Sequence, residues 1–170
     1  MLLASSCIVA DPPEYQSPVR TRPVLDVFQA TPTTSRVLVV NTNDLVRISV
    51  PVRSEDAGEL LEGVFAVDYN AGSPRPPENT QYIGASTYAD DQRKFTLDWN
   101  VPLLPSAGCH LLSLIVAHRS SFKDNPASTL KTDAAATADA TILNWWMNVD
   151  ADPSLASTLA NCPTTGTPSK

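Results

Sequence analysis

LVRISVPVR, residues 45–53, sets Val46, Ile48, Val50 and Val52 on one phase and Arg47, Ser49, Pro51 and Arg53 on the other. A period of two is the signature of a β-strand with one buried and one wet face. Pro51 falls on the polar phase and has no N–H to give, so the strand is expected at a sheet edge or at a bulge. KFTLDWNV (94–101) repeats the pattern, with Phe95, Leu97, Trp99 and Val101 opposed to Lys94, Thr96, Asp98 and Asn100. Two such strands call for a sheet that is dry on one side only.

Five further runs are rich in β-branched and aromatic residues: VLDVF (24–28), RVLVV (36–40), GVFAVDY (63–69), CHLLSLIVAH (109–118) and ATILNWWMNVD (140–150). The fourth is apolar on both phases, as expected of a central strand covered on both faces. Between the runs lie QATPTTS (29–35), EDAG (55–58) and NAGSPRPPENTQ (70–81), whose Pro, Gly, Asn and Asp content marks turns and loops. Only TDAAATADA (132–140) has helix-forming composition, enough for one short helix. About seven short strands without an amphipathic helix predict an all-β chain, an antiparallel β-sandwich with an immunoglobulin-like arrangement as the leading form. The antibody spacing of Cys, Trp and Cys does not occur, because Trp99 precedes Cys109 and Cys162 lies past the last strand.

Composition sets the frame. A chain of 170 residues, 42% hydrophobic, suits one domain with loose ends. Fifteen prolines against six glycines and 18% charged residues favour extended segments over long helices. No apolar stretch approaches the roughly 20 residues of a membrane-crossing helix. The net charge of −6 repels a phosphate backbone, which argues against nucleic acid as a partner. Residues 8–23, IVADPPEYQSPVRTRP, read as a proline-rich tether that reaches roughly 50 Å if fully polyproline-like. The sandwich is expected over 24–162, with 163–170 a loose polar tail.

Few residues invite chemistry. His110 and His118 share a face of one strand, but eight residues separate them by about 27 Å, too far to bind one ion. Each is expected to make a strand-end hydrogen bond. Asp90, Asp91, Asp150, Asp152 and the NTND turn at 41–44 lack any complete calcium-loop spacing and read as solvated turn residues. The motifs GxSxG, HExxH, GxxxxGK[ST] and GxGxxG are missing. Ser113 lies near His110 in sequence, yet a catalytic triad is a matter of geometry. The expectation is a protein without catalytic residues, metal or cofactor.

Trp145 and Trp146 are adjacent on one strand and so point to opposite faces. Trp146, in phase with Ile142, is expected between the sheets, leaving Trp145 outward. The outer indole then meets a partner protein or a sugar, or is covered by the 132–140 segment.

Three cysteines, Cys7, Cys109 and Cys162, leave one over after any single disulfide. A Cys109–Cys162 bridge closes a loop worth about 4 kcal/mol in the chain-entropy account and implies an oxidising compartment; two buried thiols in a reducing one are the alternative. At the front of the chain, LLASSC (2–7) resembles the end of a bacterial lipoprotein signal peptide. Small residues there precede a cysteine that becomes the acylated N-terminus. Ala4 stands where that family usually has leucine, and the basic and apolar front of the signal is expected upstream of Met1. The resemblance implies that residues 1–6 are the signal's remnant, that Cys7 carries lipid, and that residues 7–23 hold a domain off the membrane. Ile8 rather than aspartate after the cysteine implies the outer membrane, on its periplasmic or surface face. VRISVPVRSEDAGELLEGVFAVDY (46–69) and GCHLLSLIVAHRSSF (108–122) also resemble the core strands of immunoglobulin-like modules of bacterial envelope lipoproteins. The function so implied is a non-catalytic, lipid-anchored structural or protein-binding subunit of an envelope assembly. A carbohydrate- or peptidoglycan-binding module is the alternative, and an enzyme of unrecognised type the third.

Overall fold

A computed structural model of the protein describes residues 20–69, 79–85, 93–102, 108–124 and 129–150. Cys7, Cys162, the expected signal remnant 1–6, most of the 7–23 tether, the 163–170 tail, Asp90, Asp91 and Asp152 lie outside the described residues. In chain order the strands are β1 (Val24–Leu25), β2 (Leu38–Val40), β3 (Leu45–Arg53), β4 (Leu61–Val67), β5 (Asn79–Ile83), β6 (Arg93–Asn100), β7 (Gly108–His118) and β8 (Thr141–Val149). One short helix, α1 (Ala134–Asp139), precedes β8. It falls where the alanine-rich segment predicts it and starts at Asp133, whose carboxylate accepts the Ala136 N–H at 2.8 Å.

The strands form two sheets, β1-β3-β6 and β2-β8-β7-β4-β5. The N-terminal stretch splits between them: β1 runs antiparallel to β3, and β2 runs parallel to β8. Together with the central antiparallel β8-β7-β4 set, this is an immunoglobulin-like β-sandwich. The expected arrangement is thus present, with one parallel pair and eight strands among the described residues where about seven were expected. The strand missed is β5. It has a single strongly apolar inward residue, Ile83, and it grows out of what reads as loop at 79–81.

Alternation in the sequence becomes alternation in space. Along β6 every odd residue from Arg93 to Trp99 is buried and every even residue is exposed. β3 pairs with it from Leu45↔Asn100 to Val52↔Arg93, so Ile48, Val50 and Val52 meet Leu97, Phe95 and Arg93 on the dry side. Pro51 lies in the middle strand of its sheet, not at an edge as expected. The carbonyl of Pro51 accepts the Asp26 N–H at 2.9 Å, and its nitrogen faces the same neighbour. There β1 has already ended and the chain turns away into a 3-10 turn over Val27–Gln29, so no donor is missed.

The core joins both sheets through Ile48, Phe65, Phe95, Trp99, Leu112 and Trp145, among others. The tightest approach is at Gly63 on β4, where an added Cβ would lie 2.3 Å from Phe95 Cε1. The missing side chain lets the phenyl ring of one sheet sit against the backbone of the other. A second, smaller cluster forms on the far side of the large sheet. Phe122 and Leu130 fold over Val64, Ile115 and Ala117, which is why β7 is apolar on both phases.

Gly63→Ala is expected to destabilise the fold by about 1–3 kcal/mol, the usual cost of overpacking a full core. Urea denaturation measures this, and Phe95→Leu in the same chain should recover part of the loss.

Candidate functional site

β7 places a histidine at each of its ends on the inward phase, and each is met by an aspartate. At one end His110 Nδ1 lies 2.7 Å from Asp68 Oδ2. The Asp68 carboxylate also accepts the Leu111 N–H at 3.0 Å. The two histidines therefore do cap the strand, as expected. Ser113 is on the opposite phase, where its Oγ donates to Asn144 Oδ1 at 2.7 Å, so it has no relation to His110.

The other end is more elaborate. His118 has no exposed surface. Its Nδ1 lies 2.6 Å from Asp139 Oδ1, and its backbone N–H donates to Asp139 Oδ2 at 3.0 Å. Ser121 Oγ donates to the same Oδ2. One carboxylate at the C-terminal end of α1 thus collects three donors from the β7 exit. On the far side of the imidazole, Nε2 faces Asp56 Oδ2 at 3.4 Å. Ser121 and His118 both address Asp139 and not each other, so this is no nucleophile–base pair.

Asp56 extends the cluster to the N-terminal segment. Its Oδ2 accepts the Thr21 N–H at 3.0 Å and the Thr21 hydroxyl at 3.3 Å. Beside it, both Arg20 Nη2–Glu59 carboxylate distances are 2.7 Å, and Arg20 Nη1 donates to Ser120 Oγ at 2.7 Å. The Thr141 hydroxyl donates to the Pro23 carbonyl. Arg93 reaches from the small sheet to the Glu59 and Gly84 carbonyls at 3.0 and 3.2 Å. A layer of charge thus closes this end of the sandwich. On the outer side of the large sheet, buried Glu62 lies 3.1 Å from Arg119 Nε, and that guanidinium sits 5.8 Å from the Tyr82 ring centre.

The tryptophan assignment is reversed. Trp145 is fully buried between the sheets, and its indole N–H donates to the Pro32 carbonyl at 2.8 Å. Trp146 is on the outer phase, half-buried, beside Leu111 across the ladder. Ile142 misleads as a phase marker because it is itself 48% exposed. Leu143, Met147 and Val149 share the phase of Trp145, and this longer set defines the core face.

A feature not anticipated from the sequence is Phe28. VLDVF reads as a strand, but the strand stops at Leu25. Asp26 then caps the turn: its carboxylate accepts the Gln29 N–H at 3.2 Å and the Gln29 side-chain amide at 2.7 Å. Phe28 at the tip is fully exposed, at 101% of its reference area. An Asp three residues before a Gln is the signal that gives the turn away.

Cys109 sits half-buried on the outer phase of β7 opposite Asn148, and it is not an isolated thiol. At the same end Asp150 accepts from the Thr42 N–H at 2.8 Å and the Thr42 hydroxyl at 2.6 Å. These bonds hold its carboxyl below the ordinary value. Within NTND, Asp44 accepts the Asn41 N–H at 2.7 Å. Among the described residues no group of three or more His, Cys, Asp or Glu is placed to hold a metal ion. No helix among them is long and apolar enough to cross a membrane.

No family model matches the chain, and no curated protein matches it. Solved structures similar to it include the CARDB domain of a Pyrococcus furiosus protein in complex with di-metal ions. That likeness has 9% identity and a TM-score of 0.40, over 75% of this chain and 90% of that one. Another is the complex of zinc 2-glycoprotein with prolactin inducible protein from human seminal plasma, at 10% identity and a TM-score of 0.44, over 78% and 97%. A third is a β-glucosidase from Listeria innocua in complex with glucose, at 12% identity and a TM-score of 0.39, over 75% of this chain and 16% of that one. Likeness at this level concerns fold, and no activity passes from these proteins to this chain.

Two outcomes follow from this geometry. Asp139→Ala leaves three donors, two of them on buried His118, without their acceptor, and is expected to cost about 3–5 kcal/mol in urea denaturation. Asp150 has a lowered carboxyl pKa, so its contribution is present above the ordinary aspartate value of 3.8 and is lost as pH falls through the lower folded value. Carboxyl NMR titration should place the Asp150 midpoint below that of an unstructured aspartate. Thr42→Val should move it upward.

Proposed function

We propose that the protein is a non-catalytic, lipid-anchored component of the bacterial cell envelope, its sandwich acting as a structural or protein-binding subunit of a larger assembly. The observation that carries this reading is the fastening of the N-terminal segment. Residues 20–25 do not simply lead into the first strand. Arg20 holds Glu59 and Ser120, Thr21 holds Asp56, the Pro23 carbonyl holds Thr141, and Leu25 enters the core.

A tether pulling on Arg20 loads that end layer before it reaches β1, which pairs with β3 over only two residues. Such a short pair yields easily when pulled alone, and the end layer spreads the load onto β7 and α1 through His118 and Asp139. That is a sensible construction for a domain held by its N-terminus. The acylated cysteine is Cys7, and the outer membrane is the proposed site of anchoring. The proposed Cys109–Cys162 disulfide would tie the C-terminal segment to the centre of the large sheet. Trp146, half-buried on that sheet's outer face, remains the candidate contact of the tryptophan pair.

Intact-mass measurement of protein extracted from native membranes tests the reading. The expected species begins at Cys7 and carries added acyl mass; an unacylated N-terminus on the membrane-extracted protein would overturn it. Peptide mapping without reductant should recover Cys109 linked to Cys162, and alkylation of both thiols would remove the disulfide.

A further inference from the structure

The outer side of the small sheet carries a cationic, partly apolar face at the level where the N-terminal segment joins the fold. On β1, Val24 is 63% exposed and lies directly across from exposed Arg53 on β3. One pleat further, Pro51 lies directly across from exposed Lys94 on β6. Exposed Arg22 enters two residues before Val24. Among the described residues none of these three cations is in an ion pair, in a chain whose net charge is −6. The nearby carboxylates are mostly engaged: Asp98 lies against Arg47 at 2.6 Å and Asp26 is held by Gln29. Glu55 stands in the turn beyond the strand end.

Phe28 belongs to the same level. Its turn is bonded to β3 on both sides, by Asp26 N–H to Pro51 and by the reciprocal Thr31–Ser49 pair at 2.7 and 2.8 Å. The ring therefore projects from a fixed support, with exposed Val27 before it. A fully exposed ring beside three exposed cations offers apolar area and positive charge together, the pairing that an anionic surface with an apolar interior matches.

We infer that this face, Phe28 and Val27 with Arg22, Arg53 and Lys94, rests on a lipid surface of anionic headgroups. The occupant follows from shape and charge together. A ring exposed over its whole surface is a protrusion, which a fluid interface accepts without a matching cavity, while cations beside it meet lipid phosphates. The inference rests on the proposed N-terminal anchoring for encounter alone, since a tether of roughly 50 Å reach keeps the domain near the bilayer and leaves the face to choose the orientation. The lipid surface binds through the face itself, so the contact persists without the acyl chain.

The test uses the full chain with Cys7→Ser, which removes acylation, and sedimentation with vesicles. Vesicles of phosphatidylcholine with 30 mol% phosphatidylglycerol, about the anionic content that gives a useful surface potential, are compared with phosphatidylcholine alone. The expected result is binding to the anionic vesicles, at least tenfold weaker to neutral ones, and lost at high salt. Phe28→Ser should weaken it about tenfold and Arg53→Glu with Lys94→Glu should abolish it, all with unchanged thermal melting, because these side chains are exposed. No sedimentation of the Cys7→Ser chain, or sedimentation indifferent to Phe28→Ser, overturns the inference. So does retention on immobilised polyglutamate without vesicle binding, which assigns the face to an acidic protein. Failure here leaves the acyl-mass result at Cys7 untouched, and failure of the mass result leaves vesicle binding to stand alone.

Discussion

The Asp139 carboxylate is where three parts of the chain are made to agree. It ends α1, it accepts from the backbone and ring of His118 at the exit of β7, and it accepts from Ser121 in the following turn. Bury that carboxylate without its donors and the desolvation cost runs to several kcal/mol. With them, α1 is fixed at the end of the large sheet, against the β7 exit. This sets where β8 begins, and β8 carries Trp145 into the core. The outer cluster of Phe122 and Leu130 depends on the same placement.

Through His118 the constraint passes to Asp56, and through Asp56 to Thr21. A sandwich of this kind has no need of ionic groups at its end to be stable. Apolar residues of similar volume would serve as well or better by energy alone. What a hydrogen-bonded ionic layer adds is register. Thr21 meets Asp56 through two directional contacts, and Arg20 divides its guanidinium between Glu59, through Nη2, and Ser120, through Nη1, so the segment docks in one alignment. One alignment at Thr21 fixes the phase of β1, and the phase of β1 decides that Leu25 is inside and Val24 outside.

Much of the architecture was legible because it rests on local periodicity. The β6 pattern maps onto the sheet residue by residue, β3 keeps its apolar phase inside although Ser49 and Pro51 on the other phase are buried as well, and the alanine-rich stretch is the helix. What failed did so for identifiable reasons. The 79–83 stretch carries too little apolar signal to announce a strand, since as the last strand of its sheet it packs from one inward residue more than by alternation. Trp145 and Trp146 are hard to tell apart because Ile142 at the strand's start is apolar yet exposed, while Leu143, Met147 and Val149 carry the true phase. The end layer is beyond sequence reading altogether. Asp139 and His118 are 21 residues apart and Thr21 and Asp56 are 35 apart. No pattern marks which aspartate among thirteen finds which partner. Phe28 lies between these cases: Asp26 three residues before Gln29 signals a turn, but the β-branched composition of VLDVF masks it.

The two sheets also differ in how they treat their outer faces, and the difference bears on orientation. The large sheet spends part of its outer face on its own chain, as Phe122, Leu130 and Ala140 cover Val64, Ile115 and Ala117. The small sheet keeps a half-wet outer face along β6, where Lys94, Thr96, Asp98 and Asn100 are all exposed, while Ser49 and Pro51 on β3 are buried. A contact on the large sheet at this end would have to displace packed apolar residues. A contact on the small sheet along β6 displaces water. With the N-terminal segment fastened beside the small sheet, the proposed membrane side and the face that is least costly to cover coincide. The large sheet's other outer residues, Trp146 and Leu111 among them, are then directed away from the lipid and toward whatever assembly the protein serves.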